Sequence, residues 1–187
     1  MKKGTEMKAT GILKHEHQAI LLVIGAMEKE VAHIEKTGEI HARTIREMAD
    51  FFKNFVDRCH HAKEEKHLFV MMYERGIPVK TGLLAALLRE HEQGRGYVRA
   101  VKEAVTGKGA PAAAAIRKSK KNLASYARLI RAHIGKEDSL LYPMADRLLK
   151  SADQNSLAEA FEKVESEELG EGVHEKYHAW IEQLVGK

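Results

Sequence analysis

One ten-residue pattern occurs twice in the chain. His60-His61-Ala62-Lys63-Glu64-Glu65-Lys66-His67-Leu68-Phe69 is followed 73 residues later by His133-Ile134-Gly135-Lys136-Glu137-Asp138-Ser139-Leu140-Leu141-Tyr142, with Pro143 directly after. Superposed, both read His-x-x-Lys-Glu-acid-x-x-Leu-aromatic. On a helix, residues i and i+4 project from one face, one turn apart. Each copy therefore aims an imidazole and a carboxylate at one place. Two such pairs in an apolar seam are costly to desolvate unless something compensates them, and a cation does so.

The rest of the chain supplies the seams. Leu13, His17, Ile20, Ile24, Met27, Val31 and Ile34 alternate spacings of four and three across a segment from about Thr10 to Lys36, which Thr37-Gly38 ends. A second segment from about Ile40 carries Ile45, Met48, Phe52, Val56, His60, Glu64, Leu68 and Met71 until Gly76-Ile77-Pro78 breaks it. The third, from about Thr81, places Leu84, Leu87, His91, Gly94, Val98, Val101 and Val105 on one face. Gly94 inside a helix costs about 1 kcal/mol relative to Ala, which implies close packing of backbone or ligand there. After the Gly107-Lys108-Gly109-Ala110-Pro111 turn, the fourth carries Leu123, Tyr126, Ile130, His133, Glu137, Leu140 and Met144, with a kink expected at Pro143.

These segments predict an all-α, up-down-up-down four-helix bundle over residues 1–150. Residues 151–187 are expected to form an accessory helical segment packed on it. Asp153 or Ser156 would cap its first helix, and Gly170 and Gly172 would precede a last one ending near Leu184. Counting residues from the turns at about 1.5 Å each puts His17, His60 and His91 at similar heights. The third turn leaves an excess of a turn or more that the Gly/Pro loop must absorb.

Six residues then converge: His17, His60, Glu64, His91, His133 and Glu137. Imidazole with carboxylate suits iron, with zinc or manganese as alternatives. Two carboxylates from different helices suit bridging between ions roughly 3.5–4 Å apart. Four imidazoles and two bridges leave positions for a bridging oxygen and an exogenous small ligand. Each glutamate then serves both ions and each histidine one, so Glu64 and Glu137 should matter most. A register slip of one residue would put His61, Glu65 or Asp138 in place of a neighbour. The Phe52-Val56-Leu68 seam selects His60 and Glu64, and Glu65 is expected to contribute little.

The two His-x-x-x-Glu motifs, each followed by Leu-aromatic, resemble those of the hemerythrin-like (HHE cation-binding) family. Glu16-His17-x-x-Ile20 and Glu90-His91-Glu92-x-Gly94-Arg95 resemble its lone-histidine helices, so that the similarity covers about residues 10–150. It implies a four-helix bundle around a non-haem di-iron centre that binds O2, NO or related ligands. Respiratory members carry a fifth histidine four residues from that of the third helix, where this chain has Leu87 and Arg95. The site thus resembles that of four-histidine members, some linked to iron–sulfur cluster repair or stress responses, rather than a simple O2 carrier.

Composition sets the remaining limits. With 44% apolar and 31% charged residues over 187 positions, the chain suits one helical domain. The formal charge of +4 is modest, and the most basic run, Arg117-Lys118-Ser119-Lys120-Lys121, lacks aromatic partners and reads as a solvated face. No nucleic-acid partner is expected. Cys59 is the only cysteine, so no internal disulfide forms, and a small buried core residue is the expected role. Met1-Lys2-Lys3-Gly4-Thr5-Glu6 is no signal peptide and no apolar stretch spans a membrane, which together point to the cytoplasm. His15, His33, His41, His67, His174 and His178 are expected at the surface or behind the ligands, and Tyr97, Tyr126 and Tyr142 to pack or approach the metals. A ferritin-like Glu-x-x-His pair fails on the fourth helix, where Ile130 precedes His133 by three.

Overall fold

The seam residues fold as their spacing requires. A computed structural model describes residues 8–106, 112–170 and 172–186. The first helix, α1, is Ala9–Thr37 and buries Leu13, His17, Ile20, Ile24, Met27 and Ile34. Gly38 ends it in the left-handed conformation, at φ 72°, with its N–H on the carbonyl of Ile34. A side chain there would be strained, which is why glycine follows the last seam residue.

The second helix, α2, runs as Ala42–Phe51, then through wide π-type turns at Phe52–His61 and Glu64–Leu68, to Phe69–Glu74. The third, α3, is Gly82–Val105. The fourth, α4, is Ala113–Lys136, a wide turn at Glu137–Leu141, and Tyr142–Leu148. In both copies of the repeat the aromatic N–H reaches the glutamate carbonyl five residues back, Phe69 to Glu64 and Tyr142 to Glu137. Such wide turns within helices occur most often at functional sites. Pro143 falls at the start of the resumed α-helix, where its missing N–H matters least, so the expected break takes the form of this wide turn.

Four helices thus make an up-down-up-down bundle, with no strand among the described residues. The height excess at the third turn has a plain origin. His133 lies 20 residues into α4 from Ala113, whereas His91 lies 14 before the end of α3 at Val105, so α4 overshoots its neighbour. Residues 107–111, the predicted turn itself, and the first seven residues lie outside the described ones.

Two apolar clusters fill the bundle on either side of the histidine layer. One holds Val23, Ile24, Phe51, Phe52, Leu123, Tyr126 and Ile130. The other holds Leu13, Leu68, Phe69, Leu84, Leu87, Leu141 and Tyr142. The layer between them is buried, and its polar groups must be satisfied by one another or by a bound group. Gly94 is explained by packing, since a Cβ there would stand 3.2 Å from the Tyr126 ring.

Beyond Leu148 come α5, Ser151–Val164 with a wide last turn Glu165–Leu169, and α6, Val173–Val185. Asp153 accepts from the N–H of Lys150 at 3.0 Å, capping α5 from within its first turn. Leu157 and Phe161 join the second cluster, and Tyr177 and Trp180 pack against Phe51. Gln154 accepts from the N–H of Ala9 at 3.0 Å, satisfying a donor that the start of α1 leaves open.

Candidate metal centre

The four seam histidines meet in the buried layer, with His17 and His91 fully enclosed and His60 and His133 nearly so. They form two pairs. Nε2 of His17 lies 3.1 Å from Nε2 of His60, and Nε2 of His91 lies 2.9 Å from Nε2 of His133. Glu64 and Glu137, both fully buried, stand between the pairs. Glu137 Oε1 is 2.9 Å from His133 Nε2 and 3.8 Å from His91 Nε2, while its Oε2 is 3.2 Å from His17 Nε2. Glu64 Oε2 is 3.5 Å from His91 Nε2 and 3.9 Å from His60 Nε2.

Each imidazole is held from behind by an acid on another helix. His17 Nδ1 meets Asp138 at 2.9 Å, His60 Nδ1 meets Glu16 at 2.7 Å, His91 Nδ1 meets Glu65 at 2.7 Å, and His133 Nδ1 meets Glu90 at 2.9 Å. The four acids follow a cycle. α1 holds the histidine of α2, α2 that of α3, α3 that of α4, and α4 that of α1. In every case the holding acid is the chain neighbour of an inward-facing residue: Glu16 of His17, Glu65 of Glu64, Glu90 of His91, Asp138 of Glu137. A helix turns about 100° per residue, so one position faces the centre and the next faces the adjoining helix. Lys63 and Lys136 anchor two of these acids, Glu16 and Glu90.

This arrangement fixes the protons. A carboxylate at Nδ1 makes that nitrogen the donor, and in the neutral ring Nε2 then carries a lone pair. Two lone pairs facing each other at 2.9 or 3.1 Å cannot hydrogen-bond to each other. Two donors at right angles on one ion, with bonds of about 2.1 Å, lie about 3 Å apart. Glu64 Oε2 and both oxygens of Glu137 are buried without an aligned hydrogen bond, although imidazole nitrogens lie close by. With the rings neutral and both carboxylates ionised, four lone pairs and three oxygens without an aligned hydrogen bond face one volume, and cations fit it. Two of the compact donor groups are His17–His60–Glu137 and Glu64–His91–His133–Glu137, with Glu137 common to both.

As protein groups alone, these residues compensate by sharing protons. Burial works to lower His17, but Asp138 and Glu137 outweigh it and hold the imidazole at about 9. Burial, then the charge of Glu137, pushes Glu64 well above the carboxylate range. Burial also works to raise Glu137, yet His133, His17 and His91 hold it well below that range. One carboxylate protonated beside one ionised is the outcome expected of like charges in a dry site.

The match to the Hemerythrin HHE cation binding domain runs over residues 8–145, most of the chain, and takes in every one of these donors. The chain belongs to this family. Three relatives, uncharacterized proteins of Mycobacterium bovis and of two strains of Mycobacterium tuberculosis, are each 23% identical to it over 159 residues. The alignments cover 85% of this chain and 62% of each relative, so the chain spans about six tenths of the length of the curated proteins it matches. No solved structure matches it.

Within this hemerythrin bundle, the structure brings all six predicted residues together and adds several the spacing did not assign. Glu65 and Asp138 replace neither neighbour: they hold His91 and His17 from behind. The expectation that Glu65 contributes little is therefore revised, since its carboxylate also accepts from Arg95 at 2.7 Å. Tyr142 is fully buried, donating to Glu64 Oε1 at 2.8 Å with its hydroxyl 3.2 Å from His17 Nε2. Tyr126 packs, and burial raises its phenol far out of range. Cys59 is buried, and burial pushes its thiol up to about 12, as befits a core residue. His15 and His41 are exposed, and His33, His67, His174 and His178 half-buried. Among these six, His174 alone joins a compact group, with Glu16 and Glu165, whose acids both bind the Lys63 ammonium. That ammonium supplies the positive charge these acids require.

Proposed function

We propose that the protein holds a non-haem di-iron centre and binds O2, NO or a related small ligand there, for sensing, storage or scavenging. The single observation behind this is the pair of Nε2–Nε2 couples spanned by the free oxygens of Glu64 and Glu137. His17 and His60 would hold one ion, His91 and His133 the other, and the two glutamates both. Bound iron would supply reversible coordination and electron transfer to a small diatomic or peroxide. Imidazole with carboxylate in a buried site favours iron over softer-ligand metals, and zinc or manganese are the competing occupants. In this reading residues 1–150 are the metal-binding bundle, 151–187 are accessory, and the compartment is the cytoplasm. No helix among the described residues is long and apolar enough to cross a membrane.

The protein's own groups divide the work. Asp138, Glu16, Glu65 and Glu90 orient the imidazoles and accept from their outer nitrogens, so that the inner nitrogens are the ones offered to a bound ion. The two apolar clusters exclude water. Metal analysis of protein purified without added metal, with visible spectra before and after exposure to air and to NO, tests the proposal. Iron near two per chain with ligand-dependent bands supports it, and a metal-free protein that takes up none on anaerobic loading refutes it.

A second reading rests on Tyr142. Its hydroxyl is a proton donor at the centre, within reach of Glu64 and His17. That favours an enzyme or iron donor acting in peroxide or NO reduction or in iron–sulfur cluster repair. Steady-state consumption of peroxide or NO with an added reductant, lost in Tyr142→Phe with metal content unchanged, separates it from simple binding.

A further inference from the structure

A cavity of about 300 Å³ lies between α2 and α3, and none of the six residues of the centre lines it. Its walls are apolar: Phe52, Val98 and the Tyr126 ring, with Gly94 leaving the room that a Cβ would take from that ring. Such a volume is at the lower end of those that hold small molecules. The charge along the cavity is one-sided, with Lys53, Arg95, Arg99 and Lys102 set against Asp57. Arg95 is committed, donating to Asp57 at 2.6 Å and to Glu65 at 2.7 Å. Lys53, Arg99 and Lys102 are exposed and have no ion pair among the described residues.

The inner end of the cavity is His61. It is 4% exposed, so it lies deep while the three cations stand at the mouth. Its ring rests flat on that of His91, with centroids 3.8 Å apart and 15° between the planes, which fixes its orientation. Nδ1 of His61 is buried and has no hydrogen-bond partner. It is turned toward Asp57, 3.7 Å away on the cavity wall, whose carboxylate the Arg95 guanidinium already takes. A buried imidazole nitrogen without a partner is costly, and a hydrogen bond to a molecule in the cavity would remove that cost.

We propose that this cavity binds a small hydroxylated aromatic acid, a molecule distinct from any ligand of the metal centre. Its carboxylate meets Lys53, Arg99 and Lys102 at the mouth, its ring lies between Phe52, Val98 and Tyr126, and its hydroxyl meets Nδ1 of His61. Each part follows from a wall. The carboxylate stays at the mouth because the cations there are exposed, whereas farther in it would approach Asp57. A flat apolar body suits a slot lined by two aromatic rings. The inner group is a hydroxyl because it can donate or accept, and so satisfies Nδ1 in either tautomer of the neutral imidazole. The site stands whichever ion the centre holds.

Calorimetric titration of the protein as purified tests each part, with para-hydroxyphenylacetate, phenylacetate, para-hydroxyphenylacetamide and inorganic phosphate as probes. The hydroxy acid should bind best. Replacing its carboxylate by the amide should cost about fivefold or more at low ionic strength, and less as salt is added. Removing its hydroxyl should cost roughly two- to tenfold. Phosphate, which has no apolar body, should bind weakest. Arg99→Ala with Lys102→Ala, both at exposed positions, should erase the preference for acid over amide. His61→Phe should erase the preference for the hydroxyl and bind phenylacetate as the wild type does, which isolates that one contact. A crystal structure of the complex should show the probe ring between Phe52 and Tyr126. Equal affinities for the three aromatic probes, phosphate as tight as the hydroxy acid, or a probe seated on the metal ions overturns the assignment. So does a protein that binds none of them, whose cavity would hold water alone. The wild-type series and the complex decide the question even where His61→Phe misfolds.

Discussion

Nδ1 of His91 donates to Glu65 Oε1 across 2.7 Å, and the same oxygen takes the Arg95 guanidinium at 2.7 Å. An acid that helical geometry turns aside from the inner face thus holds an imidazole of the proposed centre from behind. Glu65→Ala should free the His91 ring and leave its tautomer undefined. Metal affinity should fall roughly 10- to 100-fold at one of the two positions, as for other partners of a ligating histidine. Glu65→Gln, whose amide oxygen can still accept, should lose less. Titration of both variants checks this, and an affinity equal to wild type in Glu65→Ala would restore the view that this residue is a bystander.

Glu137 carries the opposite expectation, because its two oxygens reach toward both histidine pairs. On the proposed reading Glu137 joins the two ions and offsets their mutual repulsion, so Glu137→Ala should weaken both positions together. His17→Ala should weaken one position alone, because His60, His91, His133 and both glutamates remain. Metal stoichiometry under anaerobic iron loading orders the variants. Loss of a single ion in Glu137→Ala, with the other bound normally, would mean that it bridges nothing.

The bundle was legible because its period is: apolar residues at threes and fours admit one fold class, and a histidine within each seam marks a common layer. Four of the six inward residues followed from the duplicated His60–Phe69 and His133–Tyr142 pattern, and His17 and His91 from their places in the seams of α1 and α3. What spacing could not give was contact between helices. Glu16 and Glu90 stand beside His17 and His91 in the chain, yet which imidazole each one holds depends on the order of helices around the axis. His61 escaped for another reason. An ideal helix turns it away from the layer occupied by His60, and only the wide turn over Phe52–His61 lets both face in. The signal was present in the doubled His60-His61, but choosing one of the two required a helical register that the chain does not keep.

Metal removal should soften the fold as well as empty the site. Taking cations away leaves Glu64, Glu137 and four imidazoles converging in a dry layer, so metal binding energy appears as folding energy. At free metal 100-fold above Kd, one ion contributes about 2.7 kcal/mol. For a chain of this size that corresponds to a rise in Tm of about 5–10 °C. Calorimetry of loaded and chelator-stripped protein checks it, and coincident transitions would place the bound metal outside the core.

Cys59 should be inert in the folded protein. Burial pushes its thiol up to about 12, so essentially none is thiolate at pH 8, the form that reacts. Alkylation by iodoacetamide should proceed only as fast as the chain opens, and should accelerate on metal removal. Rapid labelling of the loaded protein at pH 8 would contradict its place in the core.

The helices after Leu148 reach the histidine layer through Lys63. This fully buried ammonium lies between Glu16, which holds His60, and Glu165 at the end of α5. Burial works to raise Glu16, but His60 and Lys63 outweigh it and bring its carboxyl from 4.5 down to about 2. A carboxylate depressed in the folded state stabilises the fold above its unfolded value, and that contribution disappears as the pH falls from about 4.5 toward about 2. The shift corresponds to something on the order of 3 kcal/mol. Lys63→Met leaves Glu16 buried with His60 at 2.7 Å and His174 at 4.0 Å as its remaining partners. Breaking a buried pair in this way should cost about 3–5 kcal/mol at neutral pH, and acid unfolding should begin at a higher pH than in the wild type. Glu165→Gln, which removes the more exposed acid, should shift both readings less. Circular dichroism followed from pH 7 to pH 2 in the three chelator-stripped proteins measures the order. An unchanged acid midpoint in Lys63→Met would show that Glu16 keeps its charge without the lysine, and that α5 is joined to the centre by packing alone.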